Sequence, residues 1–426
     1  MTRRRTQRGV AFIIALGTVA GLVAIVASIA ATVQVSAEAR INREAAKRAR
    51  VVAMSGIQYA FSSLQSQSAT TAGQTDAWAT MGCSAATAPA DTVFQVADGY
   101  FRVQVVDGCS LIDVNTAPTT QLMNLPLTQE QVDSLTDWRS AGETPQPDGA
   151  KDAFYNALTQ PYNAKLGRLD TVDELLQVQY FTRDVLYDAP TSTTTNSQMT
   201  TQANGQQPIL ASLITVDATA PIPTGGGRIN VSTTGGNLVQ LSQQLRASGL
   251  PIALVTQIIQ RRPFTTFGAL LRLPGVTTQQ ATTMLNRLQV GGAATAEGRI
   301  NLNTANQSVL STLPNLQSDI ASAIVTQQAT PLTSISQLMA VPGMTVTMAA
   351  GIVDSVTVGS QTFLIRTIGW VGNTGVALEA TVSVANGAAK ITKIVDQPFP
   401  NMDARWNWAD AATTNMLVDP TQVPAQ

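Results

Sequence analysis

From Val10 to Ala37 the chain carries no charged residue. The apolar run then passes without a break into a proline-free stretch, rich in Ala, Arg, Glu and Lys, that reaches Leu64. These residues favour helix. At about 1.5 Å per residue the uncharged part alone spans roughly 42 Å, more than a bilayer core of about 30 Å. The pattern predicts one continuous helix over 10–64, half in lipid and half projecting into water. A cleaved secretory signal would have a shorter apolar core that ends at small residues. The preceding MTRRRTQRG holds four arginines and no acid, which places that end in the cytoplasm and the remaining chain outside it.

Beyond the helix the period changes. Residues 91–110 alternate apolar and polar around Asp98-Gly99, and residues 361–397 do so in three runs. Asn373-Thr374-Gly375 and Asn386-Gly387 supply turn chemistry between those runs. Neither group makes a stable sheet alone. Together they predict about five antiparallel strands on the water-side half of the helix. The fold class is therefore α+β, with the middle of the chain inserted between early and late strands.

That middle is repetitive. Ile112 opens IDVNTA, Ile229 opens INVSTT and Ile300 opens INLNTA. Downstream, ELLQVQYFT (174–182), ALLRLPGVT (269–277) and QLMAVPGMT (337–345) align as well. Each copy reads as a short strand, a polar helix cap and helices with core stripes such as Leu238, Leu241 and Leu245. The Pro-Gly pairs stop one helix, and the following Thr starts the next. Residues 190–208 are a Thr/Gln/Asn linker, and 398–426, with Trp406 and Trp408, form a tail.

Composition narrows the chemistry. Charged residues are 12% of the chain, with 26 basic against 27 acidic, and histidine is absent. That removes Ser-His-Asp and Cys-His catalysis and every histidine metal site. Lysines are scarce after residue 165 and no GxSxG motif occurs, so the chain reads as non-enzymatic. Two cysteines cannot form a four-thiolate zinc site. Outside the cytoplasm, Cys83 and Cys109 are expected to pair as a disulfide.

A short basic leader ending in Gly9, directly before such a helix, resembles a type IV prepilin N-terminus. The resemblance implies cleavage after Gly9 by a prepilin peptidase, leaving Val10 as an N-methylated terminus. Most members of that superfamily carry glutamate five residues after the cut, where it neutralises the terminal amine of the neighbour above. Here that residue is Ile14. A subunit with nothing above it needs no such carboxylate, and protein K of type II secretion typically lacks it. The repeated middle resembles a helix-hairpin-helix (SAM-like) insertion. In order, Asp137-Trp138, Gly149-Ala150, Phe154-Tyr155, Pro161-Tyr162 and Glu174-Leu175-Leu176 are similar to the loop that marks the protein K family.

The expected organisation is thus a leader (1–9), a transmembrane and assembly helix (10–64), and a pilin-like sheet built from 91–110 with 361–397. Helical copies follow at 111–189, 209–290 and 291–358, with the linker 190–208 and the tail 398–426. The resemblance implies a minor pseudopilin at the tip of a type II secretion pseudopilus, initiating or capping assembly for export of folded proteins. Its partners would be other minor pseudopilins, the major pseudopilin and the prepilin peptidase. Its place would be the bacterial inner membrane, single-pass, with the C-terminal bulk in the periplasm and no small-molecule substrate. Family loops also bind calcium through acids, here Asp137, Glu143, Asp148 and Asp152. Ser140 and Lys151 stand where those loops place acids, and a lysine opposes a divalent cation. The alternative is a minor pilin of a type IV pilus or DNA-uptake system, gripping DNA through Arg261, Arg262 and Arg272. Against it, seven arginines are spread over 228–354, and residues 112–182 hold ten acids against four bases. Backbone binding needs several phosphates engaged together.

Overall fold

The computed structural model describes residues 6–82, 93–188, 208–385, 387–397 and 406, with side chains from Phe12 onward. Helix α1 runs unbroken from Thr6 to Leu64. Side chains 12–38 are exposed within the chain, and the helix is long and apolar enough to cross a membrane. Its far half behaves differently. Ala49, Val52, Ala53, Ile57, Ala60 and Leu64 are buried, at the three-to-four spacing that lines one helical face.

Five strands receive that face: β1 (Phe94–Val96), β2 (Gly99–Asp107), β3 (Thr362–Val371), β4 (Thr374–Ala385) and β5 (Ala388–Gln397). They are antiparallel and lie side by side in chain order. The insertion therefore interrupts a simple meander between β2 and β3. Phe101, Val103, Val105, Phe363, Ile365 and Leu378 meet the α1 stripe. Gly369 lets the helix approach the sheet. A β-carbon there would lie 2.4 Å from Ala53 N and 2.6 Å from Ala49 O. The β3–β4 turn is Gly372-Asn373, because Val371 already pairs with Thr374; it falls one step before the expected Asn373-Thr374-Gly375. Of the second turn, Asn386 lies outside the described residues.

The opposite face of the sheet is also covered. Ile368, Trp370 and Ala377 pack with Trp406 of the tail, over which the Arg366 guanidinium sits at 5.9 Å. Arg366 in turn pairs with Glu379 at 2.9 Å. Trp408 lies outside the described residues.

The three copies are present, each closed by a two-residue parallel pair. Ile112–Asp113 pairs with Ile214–Thr215, Ile229–Asn230 with Leu288–Gln289, and Ile300–Asn301 with Val356–Thr357. This corrects one boundary: the first copy extends past 189 to Thr215. Parallel strands need a long crossover, and the linker lies inside that crossover. A second correction concerns the polar residues after each opening strand, which build a turn and do not cap a helix. Asp113 Oδ1 accepts from Asn115 N (2.9 Å), Asn230 Oδ1 from Ser232 N (2.8 Å) and Asn301 Oδ1 from Asn303 N (3.0 Å). Caps come later, at Asn237 and Asn306, while Pro118 in copy one has none. Thr182, Thr277 and Thr345 cap the next helices as the alignment predicts.

Where β2 leaves the sheet, buried Asp107 ties sheet to insertion. Its carboxylate accepts from Cys109 N (2.8 Å), Asn301 Nδ2 (2.7 Å) and Thr304 Oγ1 (2.7 Å). Burial pushes this carboxyl up, and those hydrogen bonds oppose the push.

Candidate functional site

The residues that mark the first copy gather at the end of one helix. Helix α2 (Gln129–Arg139) starts on a Thr128/Gln131 capping box, which satisfies its first free N–H groups. Arg139 fastens its far end by donating to Val114 O and Ala117 O (2.5 and 2.7 Å). Trp138 is buried and meets Tyr155 edge-on, with ring centroids 5.2 Å apart, and Tyr155 packs on Tyr162 at 5.3 Å. The polar tips of these rings are all engaged. Trp138 Nε1 donates to Glu174 Oε1 (2.9 Å), Tyr162 Oη to Gln177 O (2.8 Å), and Tyr155 Oη accepts from Gln179 N (3.1 Å). Burial pushes the Tyr155 phenol up to about 12. Lys165 pairs with Glu174 at 2.8 Å and with Asp170 at 2.7 Å. Aromatic residues separated widely in sequence thus form one cluster, with Leu175 buried and Leu176 exposed.

The four acids that stand where family loops bind calcium do not converge. Asp137 is buried, and its Oδ2 accepts from Gln146 N at 2.9 Å. Burial raises its carboxyl, while Gln146 and Lys151 hold it down. Asp152 Oδ1 accepts from Ala164 N at 2.7 Å. Glu143 and Asp148 are exposed. Among the described residues no group of three or more His, Cys, Asp or Glu comes together as a metal site. Calcium needs six to eight hard oxygens, so this donor set does not fit the ion.

The other predicted residues are dispersed. Gly9 and Val10 lie within the α1 backbone, and their side chains are outside the described residues. Ile14 is 62% exposed on the lipid-side half of α1. Cys109 is buried with Sγ donating to Thr219 O (3.4 Å), and burial and Asp107 push its thiol well up; Cys83 lies outside the described residues. Arg262 donates to Thr233 O (2.9 Å) and Arg272 to Ala350 O (3.1 Å). Arg228 likewise donates to Leu285 O and Leu288 O. These contacts brace the copies, although Arg272, like Arg261, is exposed.

Two residues escaped sequence reasoning. Asp113 occupies the position that holds Asn in the other copies. Its side chain is buried, and burial pushes its carboxyl to about 7, against Asn115 N, the Arg168 charge and the Thr116 hydroxyl. Tyr180 takes the left-handed backbone (φ +66°) at the place where Gly275 and Gly343 (both φ +80°) turn the later copies. Aligning the three copies exposes both substitutions.

The class follows from this architecture: an α+β protein, one long apolar helix on an antiparallel sheet, enlarged by three helical copies. Residues 120–189 match the family model of type II secretion system (T2SS), protein K, and residues 295–357 match that of the helix-hairpin-helix motif. The segment holding the aromatic cluster is thus the part of the chain that is similar to protein K of type II secretion. Among solved structures, a chain of the GspK-GspI-GspJ complex from the enterotoxigenic Escherichia coli Type 2 Secretion System aligns over 85% of this chain and 100% of its own. The identity is 15% and the TM-score 0.41. No curated protein matches.

Proposed function

We propose that this chain is a non-enzymatic minor pseudopilin that occupies the tip of a type II secretion pseudopilus, where it starts or caps the filament. The observation that carries this reading is the position of the protein K domain. It lies within an insertion between β2 and β3 of a sheet mounted on α1, so the bulk sits beside the assembly helix. Among the described residues, side chains 12–38 of that helix are exposed, which leaves them for lipid and for the helices of neighbouring subunits. Ile14 offers no carboxylate to a terminal amine above it, and the insertion would obstruct a further subunit there. The partners are other minor pseudopilins and the major pseudopilin. The membrane is the bacterial inner membrane, with residues 38 onward on the periplasmic side.

N-terminal mass analysis of the protein recovered from membranes tests the proposal. A chain beginning at Val10 with a methylated amine supports it, and replacing Gly9 by Trp blocks that processing. A mature chain that retains Met1 contradicts it.

A further inference from the structure

We propose that Lys151 is a covalently tethered internal cation, locking the loop 140–151 onto the end of α2, and that the protein K domain of this chain accordingly folds without a divalent metal. The last carbonyls of a helix lack intrahelical donors and carry the negative end of its dipole. Lys151 Nζ sits on them, 2.6 Å from Asp137 O and 2.7 Å from Ser140 O. Ser140 Oγ is 3.4 Å away and Asp137 Oδ1 3.9 Å. An ammonium has three N–H groups to place, and these four oxygens surround it. The pair is almost fully withdrawn from water, with side-chain exposures of 4% for Lys151 and 1% for Asp137. A buried charge is tolerated only when matched in sign and hydrogen bonding, and both conditions are met here.

The neighbouring acids are not free to receive a second cation here. Among the described residues Asp137 is the carboxylate paired with the ammonium, and its other oxygen is held by Gln146 N. The neighbouring Asp133 accepts from Gln129 Nε2 (2.7 Å) and Asp148 N (3.4 Å), and Glu143 and Asp148 face solvent. A divalent ion would have to displace the ammonium from the same oxygens, leaving that charge buried and unmatched. Lysine and metal are mutually exclusive occupants of this cage, and the chain encodes the lysine.

The test is thermal unfolding of the full chain in detergent, with EDTA or with millimolar calcium, beside calcium titration by calorimetry. The unaltered protein melts at the same temperature in both and takes up no calcium at this loop. Lys151→Met strips the cage of its cation and lowers the melting temperature by roughly 5–10 °C. Lys151→Asp is lowered similarly in EDTA and recovers when calcium is added, because the cage then presents hard oxygens alone. Calcium binding by the unaltered protein, or a rise of several degrees in its melting temperature, overturns the proposal without reliance on any variant. So does a Lys151→Met protein that melts like the parent.

Discussion

Asp113→Asn converts the first copy's turn to the residue that the other two copies use. Asn keeps the side-chain oxygen that receives Asn115 N, as Asn230 and Asn301 do for Ser232 N and Asn303 N. It removes a carboxylate that is buried in the fold. Folding raises this carboxyl from 3.8 to about 7, so the folded chain binds a proton that the unfolded chain releases. Stability contributed by the protonated group is complete below about pH 4 and is lost as pH rises toward 7. Three units at about 1.4 kcal/mol each make the loss about 4 kcal/mol at pH 8. Denaturant unfolding of parent and variant at pH 4 and pH 8 reads this directly. The variant is more stable by about 2–4 kcal/mol at pH 8 and nearly equal at pH 4. Equal stabilities at both pH values, or a variant weaker at pH 8, would refute the reasoning.

Three further outcomes follow from the same contacts. Gly369→Val forces a side chain against the backbone of α1 at Ala49 and Ala53, and thermal melts should show a loss of about 1–3 kcal/mol or more. Tyr180→Gly relieves a left-handed tyrosine that is 50% exposed; chemical unfolding should show a gain of about 0.5–1 kcal/mol. Fluorescence anisotropy with labelled duplex DNA at low salt should show no binding by the full chain, since Arg262 and Arg272 each already donate to a backbone carbonyl and the seven arginines of 228–354 are sparse; salt-sensitive binding lost in Arg261→Ala would restore the DNA-uptake reading.

The elements that repeat along the chain were legible in it. The uncharged run gave way to the amphipathic half of α1 where the core begins, and period-two alternation located all five strands. The three Ile-Asp/Asn openings marked three copies because each needs the same strand and Asx turn. What the sequence concealed were partnerships between distant segments. Ile214–Thr215 closes the first copy from beyond the linker, a pairing no local pattern announces. Asp107 joins strand to insertion through Asn301 and Thr304, almost two hundred residues away. In the protein K-like loop the order of motifs was legible, whereas the packing of Trp138, Tyr155 and Tyr162 on one another was not. The acids alone were ambiguous, because residue type does not say that Asp137 and Asp152 are already engaged by backbone N–H groups. Lys151 appeared as an objection to calcium, and the structure places its ammonium in the oxygen cage.

The central claim is position in the filament. A gold-binding tag inserted at the exposed β4–β5 turn, beside Gly387, would report it by electron microscopy of assembled pseudopili. The account predicts a single label at one end of each fibre. Labels repeating along the shaft would contradict it.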